Sequence, residues 1–582
     1  MCGIAGILLA SRRVELDGLK KMTDTIKHRG PDGEGHWIND KKNIGFGHRR
    51  LSIIDLTEKG SQPMHYLNGR YTITYNGEIY NYLEIKNELI KKGYQFYSDS
   101  DTEVLLALYH QERENCLSKL DGMFAFAIWD ETEQTLFCAR DRFGEKPFYY
   151  IHEAGNSFMF ASEMKALWAN GITKNLLPHK VSSFLESGEL LDGSDLSETF
   201  YKNIYQLDGS HYILIQNLSK LEQKRYYTLN IIDGQKGLTV ADAESKLFDL
   251  LEKSVRFRLR ADVKIGSSLS GGLDSSTIVK LIESLKPPSY IQTTFSARFK
   301  NYSKDEGVYI EEIVRNTKNI TPYEVWPDIE ELDSEVEGIL YHQEEPFGSS
   351  SIYAQWKVME LAKKENVKIL LDGQGADEYL GGYIPYYDDY LNQLYFNSRG
   401  KYKKTLDDFN RLRKSEAPIP QRSSTFRQEL SYAKQKILRK KRIYPTDHLK
   451  QTLLKDTFSS RLKILLRYAD RNSMAHSIEV RLPFLYHELV EFIFSLPDEY
   501  ILREGHTKWI LRKAMDNILP PKINWRIDKI GFEVPQDEWL KRITNEKVKK
   551  RVNNYLKDHN SMKPVDESNI SNWNYYIIDK FL

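Results

Sequence analysis

Ser270-Gly271-Gly272-Leu273-Asp274-Ser275-Ser276 stands near the middle of the chain, and its flanks decide what kind of sheet it joins. Before it, Val263, Ile265 and Leu269 alternate with small and charged residues, a strand pattern. After it, Ile278, Val279, Leu281, Ile282 and Leu285 repeat at helical spacing up to Pro287-Pro288. A glycine- and hydroxyl-rich turn between a strand and a helix start offers backbone N–H groups and a helix dipole to an anion. No Lys-Ser or Lys-Thr pair follows the glycines, so this is not the Walker pattern. A carboxylate in such a cradle repels phosphate unless a cation bridges them. Asp274 therefore points to Mg²⁺ with a nucleotide.

The alternation continues downstream. Stretches 263–269, 291–295, 321–325 and 367–371 read as strands separated by helical segments, which predicts an open parallel sheet binding ligands beyond its strand C-termini. A second turn, Leu371-Asp372-Gly373-Gln374-Gly375-Ala376-Asp377-Glu378, follows the last of them. Asp377 is placed to meet Asp274 and share the metal. Alone, this turn reads equally well as an ordinary acidic turn.

A chain of 582 residues exceeds what one core usually holds, so two domains or more are expected. Its 83 basic and 82 acidic residues give no general case for nucleic acid. No apolar run reaches the roughly 18 residues of a membrane span, and the start lacks a secretory pattern. Cys2, Cys116 and Cys138 fit neither a disulfide framework nor zinc spacing. A cytoplasmic protein is expected.

Residue 2 is small enough for Met1 to be removed, which would put the Cys2 thiol beside a free α-amino group able to act as its base. Taken singly, a cysteine here reads as strand packing. Residues 47–54 read as a loop entering a strand. Residues 71–75 read as a strand ending at Asn76-Gly77-Glu78-Ile79-Tyr80-Asn81, where an amide and a glycine N–H suit an oxyanion. A hairpin is the alternative for Asn76-Gly77, weakened by the helix-like stretch 82–92 that follows. Strands at 123–129, 135–139 and 158–161 complete an α+β layered first half.

Cys2-Gly3-Ile4-Ala5-Gly6, His28-Arg29-Gly30-Pro31-Asp32, Arg50-Leu51-Ser52-Ile53, Asn76–Asn81, Ser100-Asp101-Thr102-Glu103 and Asp141-Arg142-Phe143-Gly144-Glu145-Lys146-Pro147 follow one another in a specific order. With Ala161-Ser162-Glu163, they resemble the class II glutamine amidotransferase domain. The whole chain resembles the glutamine-hydrolysing asparagine synthetases. The resemblance implies two domains: 2–218, an N-terminal-nucleophile hydrolase fold in four α+β layers, and 238–565, an ATP-dependent α/β domain. The second would have a parallel sheet of the ATP-pyrophosphatase type with helical additions, joined through a linker at 232–237.

It further implies Cys2 as nucleophile with Asn76 and Gly77 at the oxyanion. Arg50 would hold the glutamine α-carboxylate and Asp101 its ammonium, with Leu51, Ser52, Ile53, Ile54 and Glu78 around them. ATP, a substrate, would lie against Ser268, Ser270, Gly271, Gly272, Asp274, Ser275, Ala297, Asp372, Gly373 and Lys508. Gln374 would mark the acyl-adenylate region, and Asp274 and Asp377 would hold Mg²⁺. The implied partners are glutamine, ATP and aspartate, with neither nucleic acid nor membrane span, and a homodimer is left open. Ammonia from glutamine would attack an acyl-adenylate to give asparagine, AMP, pyrophosphate and glutamate. Two other readings stay open: a different carboxylate acceptor, such as a polysaccharide uronic acid or a peptide side chain, and a non-catalytic regulatory paralogue.

Three features depart from the family pattern. The second turn usually reads Ser-Gly-Glu-Gly, whereas here Asp372 and Gln374 replace the Ser and the Glu. An amide hydrogen-bonds but does not take up a proton as a carboxylate does. Tyr486 stands where Asp is common. The Tyr- and Lys-rich, helix-like segment 384–457 is longer than in many relatives. Its basic run 434–442 reads as a solvated helix face, with an anionic-acceptor surface as the alternative.

Overall fold

The computed structural model describes residues 2–191, 196–231, 237–413, 447–528, 534–543, 546–558 and 570–582. Among the described residues of the first half, short runs form twelve strands: β1 (Gly3–Leu9), β2 (Gly33–Ile38), β3 (Ile44–Arg50), β4 (Met64–Tyr66), β5 (Tyr71–Ile79), β6 (Gly122–Asp130), β7 (Thr135–Arg140), β8 (Tyr149–Glu153), β9 (Ser157–Ala161), β10 (Tyr205–Gln206), β11 (His211–Ile215) and β12 (Gln223–Arg225). They make two six-stranded sheets, ordered β10-β8-β9-β1-β3-β2 and β12-β11-β7-β6-β5-β4. The sheets face each other across Ile4, Phe46, Ala125, Trp129, Phe148 and Phe160. Helix α1 (Leu16–Asp24) covers the first sheet; α2 (Tyr82–Lys91) and α3 (Asp101–Glu112) cover the second. The result is the expected four-layer arrangement.

Two local expectations are corrected. The strand near residue 50 ends there rather than beginning: β3 runs antiparallel between β1 and β2, and Leu51–Ile54 leave it as a loop. That loop finds its backbone partners in the second half, where Asp262 N donates to Ile53 O at 3.0 Å and Asp262 Oδ2 accepts from Asp55 N at 2.9 Å. Asn76 and Gly77 lie inside β5 rather than at its end, opposite Ala125 and Phe124. Only glycine fits at 77, because a Cβ there would stand 2.1 Å from Met123 O. β12 carries the second sheet past residue 218.

The second half builds one five-stranded parallel sheet from β13 (Ile265–Ser268), β14 (Gln292–Ala297), β15 (Ile320–Val325), β16 (Ile369–Leu371) and β17 (Glu479–Arg481), in order β15-β14-β13-β16-β17. Four of these were legible; β17 was not read, although Ile478, Val480 and Leu482 alternate with Glu479 and Arg481 there. The order reverses at β13, so the turns after β13 and β16 open at one crevice. Helix Val240–Arg258 enters through a Thr239/Asp242 capping box.

The halves share an apolar core in which Leu51, Ile53, Tyr80 and Met123 pack with Leu251, Val255, Leu370 and Phe484. Among the described residues of 384–457 the helices are Pro385–Asn397, Arg399–Leu412 and, reaching residue 458, His448–Phe458. The basic run 434–442 and most of the linker at 232–237 lie outside the described residues. No helix among the described residues is long and apolar enough to cross a membrane.

Candidate active sites

Cys2 is buried just before β1, and its backbone N donates to Asn76 Oδ1 at 2.9 Å. With the carbonyl end of Asn76 so engaged, its Nδ2 is a buried donor without a protein partner. A small cavity opens here. Cys2, Arg50, Leu51, Ile53, Ile54, Gly77, Glu78 and Asp101 line it, together with Ser100 and Thr102 of the same motif as Asp101, and with Gln62 and Tyr75, which the motifs did not indicate. Ser52 lies aside, its N–H donating to Asp32 Oδ2 at 2.8 Å. Arg50 donates to the carbonyls of Thr57, at 2.8 Å, and Asp55. Asp101 Oδ2 accepts from Tyr75 OH and Ile79 N, each at 2.9 Å.

Burial pushes the Cys2 thiol up, against a Leu51 backbone hydrogen bond and Arg50. Burial, then Asp101, push Glu78 well above the carboxylate range, with Arg481 opposing. Asp101 is raised too, chiefly by burial. A cation entering this cavity would favour the charged form of both acids.

The second cavity, of about 400 Å³, lies over the crevice of the parallel sheet. Ser268, Ser270, Gly272, Asp274, Ser275, Ala297, Asp372, Gly373, Gln374, Asp377 and Lys508 all line it. Gly272 caps helix Leu273–Leu285, aiming its N-terminus into the space. Gly271 has φ +72°, with its carbonyl accepting from Arg526 at 3.2 Å. Lys508, itself left-handed at φ 52°, places Nζ 2.6 Å from Asp274 Oδ1 and 2.6 Å from Asp377 Oδ1. Burial would lower the Lys508 pKa, but the two carboxylates raise it above its ordinary value. Two oxygen-bearing groups converging on one cationic point are a donor set that suits Mg²⁺. Gln374 Oε1 is buried without a hydrogen-bond partner.

A third cluster, His28, Glu163 and His342, has donor atoms within 4.8 Å of one another. Arg29, Arg471 and Lys165 already surround Glu163, at 2.8 and 3.1 Å for the arginines, so the local charge opposes a divalent ion. It is an ion network joining the halves.

Family models match two parts of the chain. One for the glutamine amidotransferase domain matches residues 1–227, and one for asparagine synthase matches 246–570. The chain belongs to the asparagine synthase family. It is similar to glutamine-hydrolysing asparagine synthetase 1 of Bacillus subtilis, at 33% identity over 94% of this chain and 89% of that protein. A putative asparagine synthetase 2 of Methanocaldococcus jannaschii is 36% identical over 72% of this chain and 81% of its own length. An amidase of Gibberella zeae is 27% identical over 93% of this chain and 90% of its own.

Against the family pattern, Tyr486 cannot cap helix His487–Ser495 as an Asp would, and makes no capping hydrogen bond. Its ring instead packs 5.2 Å from Lys253 Nζ. Glu306, Tyr383, Arg512 and Arg526 also line the nucleotide-side cavity of this family member. The glycine pair before Tyr383 held a signal: a Cβ on Gly382 would stand 1.7 Å from Asp377 Oδ1. Arg512, on helix Trp509–Ala514, and Arg526, just past helix Pro521–Asn524, had none, since a lone basic residue usually faces solvent.

Proposed function

We propose that the chain is a glutamine-dependent ligase that makes asparagine from aspartate and ATP. The observation that carries this is the pairing, in one chain, of a buried cysteine beside an unspent Asn76 Nδ2 donor with a phosphate-type turn facing Asp274, Asp377 and Lys508.

In the first cavity, Arg50 holds the glutamine carboxylate, and Asp101 and Glu78 hold its ammonium. Once Met1 is removed, the Cys2 amino group, oriented by Asn76 Oδ1, takes the thiol proton as sulfur attacks the side-chain carbonyl. Asn76 Nδ2 and the Gly77 N–H receive the negative oxygen. The amine returns its proton to the leaving ammonia, and water then hydrolyses the thioester to glutamate.

In the second cavity, Ser270–Ser275 and the helix start hold the ATP phosphates while an aspartate oxygen displaces pyrophosphate. Lys508, released from the carboxylates, follows the phosphate charge. Asp274 and Asp377 would hold Mg²⁺, which supplies charge neutralisation to the pyrophosphate. Ammonia attacks the acyl carbon and displaces AMP. The proton lost from nitrogen leaves on the departing AMP phosphate or to water, because Gln374 has no carboxylate to accept it.

Incubation with glutamine, Mg-ATP and aspartate should release AMP and yield asparagine. Glutamine hydrolysis without aspartate-dependent AMP would point to another carboxylate, a reading that Gln374 and the amidase relatives favour.

A further inference from the structure

β17, the edge strand that the sequence reading missed, carries one residue whose backbone meets the lining of one cavity and whose side chain faces the lining of the other. Arg481 is fully buried. Its carbonyl accepts from Asp372 N at 3.0 Å, so it fixes the start of the turn bearing Gly373 and Gln374. Its guanidinium points the other way. Nη1 donates to the carbonyls of Arg258 at 2.8 Å and Arg260 at 2.6 Å, and Nε donates to Glu479 Oε1 at 2.6 Å. Nη2 faces Glu78 Oε2 at 3.6 Å, too far for a good hydrogen bond. Neither Arg481 Nη2 nor Glu78 Oε1 has another hydrogen-bond partner.

One wall of the glutamine cavity therefore faces this residue directly, and the other is joined to it through the chain. Glu78 is one wall. The other is the loop at Ile53 and Asp55, which hangs on Asp262, two residues beyond the Arg260 carbonyl that Arg481 holds. The same connection runs on into β13 and the phosphate turn.

We infer that Arg481 is a positioning residue that couples glutamine binding at Glu78 to the nucleotide turn at Asp372, given the two-site function proposed above. The ammonium of glutamine favours the charged form of Glu78, which closes the 3.6 Å gap to Nη2. The guanidinium then shifts against carbonyls 258 and 260, and its own carbonyl shifts against the Asp372 N–H. Nucleotide binding at the turn acts along the same contacts in reverse.

The test is a coupling factor: the ratio of glutamine affinities with and without ATP plus aspartate, measured on glutaminase activity. In the unsubstituted protein it should be at least about fivefold, the low end for coupled sites, and equal to the factor by which glutamine changes ATP affinity. In Arg481→Lys both factors fall to about one, because a point charge cannot span Glu78 and two carbonyls. A merely structural arginine would lower the melting temperature and both basal rates while leaving the factor intact, which overturns the inference. Glu78→Gln keeps the shape and removes the charge; it weakens glutamine binding, yet the ratio remains measurable and should also reach about one. That variant decides the matter if Arg481→Lys does not fold. In the double variant no further loss is expected. A protein that makes no asparagine fails the proposed function; one that makes it and keeps the factor in both variants fails only this inference.

Discussion

Arg29 grips Asp470 through two parallel hydrogen bonds of 2.8 and 2.9 Å, tying the amidotransferase half to helix Arg461–Ala475 of the synthetase half. Both are buried, and Glu163 lies against the same guanidinium at 2.8 Å. Asp470→Ala should cost about 3 kcal/mol, the low end for a broken buried pair because Glu163 remains. Denaturant midpoints measure this; an unchanged midpoint would sink it.

The same pair predicts an acid dependence. Burial would raise the Asp470 pKa, but Arg29 holds it below the ordinary value of 3.8. A lowered carboxylate contributes stability above its unfolded pKa, about 3.9, and loses it as pH falls through the folded value. Wild-type stability should drop below about pH 4 more steeply than that of Asp470→Asn, as thermal melts across that range would record.

Lys508 holds Asp274 and Asp377 together. Lys508→Met should reduce pyrophosphate–ATP exchange by about 10²–10³-fold, the scale of losing one aligned charge-stabilising donor. Glutaminase activity should persist. The two carboxylates then face each other without their cation, so Mg²⁺ should raise the melting temperature of the variant more than that of the parent. Equal shifts would remove Asp274 and Asp377 as metal ligands.

Cys2→Ala should abolish glutamine-dependent synthesis and keep synthesis from added ammonia. Asn76→Ala should lower glutaminase kcat by about 10²-fold with little change in KM, because its Nδ2 acts on charge that develops during reaction. A KM effect alone would make Asn76 a binding residue instead.

Gly271→Ala should impair ATP-dependent steps and spare glutaminase. At φ +72° a side chain is strained, and its Cβ would lie 2.6 Å from Tyr309 Cβ. Raised ATP KM in coupled assays is the expected readout; wild-type kinetics would remove the close packing as a constraint.

Much of this was legible in the chain itself. The strand–turn–helix pattern around Ser270–Ser276 is local, and apolar periodicity reports it directly. Cys2, Asn76 and Asp101 were singled out because their motifs keep order and spacing, although Asn76 was placed at a strand end instead of inside β5. The loop after Arg50 was misread because its partners, at Asp262, lie in the other half of the chain. β17 was missed although Ile478, Val480 and Leu482 alternate, because so short a run is read as a strand only once its neighbour β16 is known.

Sequence alone determined the layered first half, the parallel second sheet, the cysteine, and the two acidic turns, because each is written in neighbouring residues. Tertiary structure alone decided that Lys508 fills the space between Asp274 and Asp377. It alone left Asn76 Nδ2 unspent beside Cys2 and set Arg481 between the two cavities. Those relationships join residues far apart along the chain, and only closing the fold around a shared core gives them a distance.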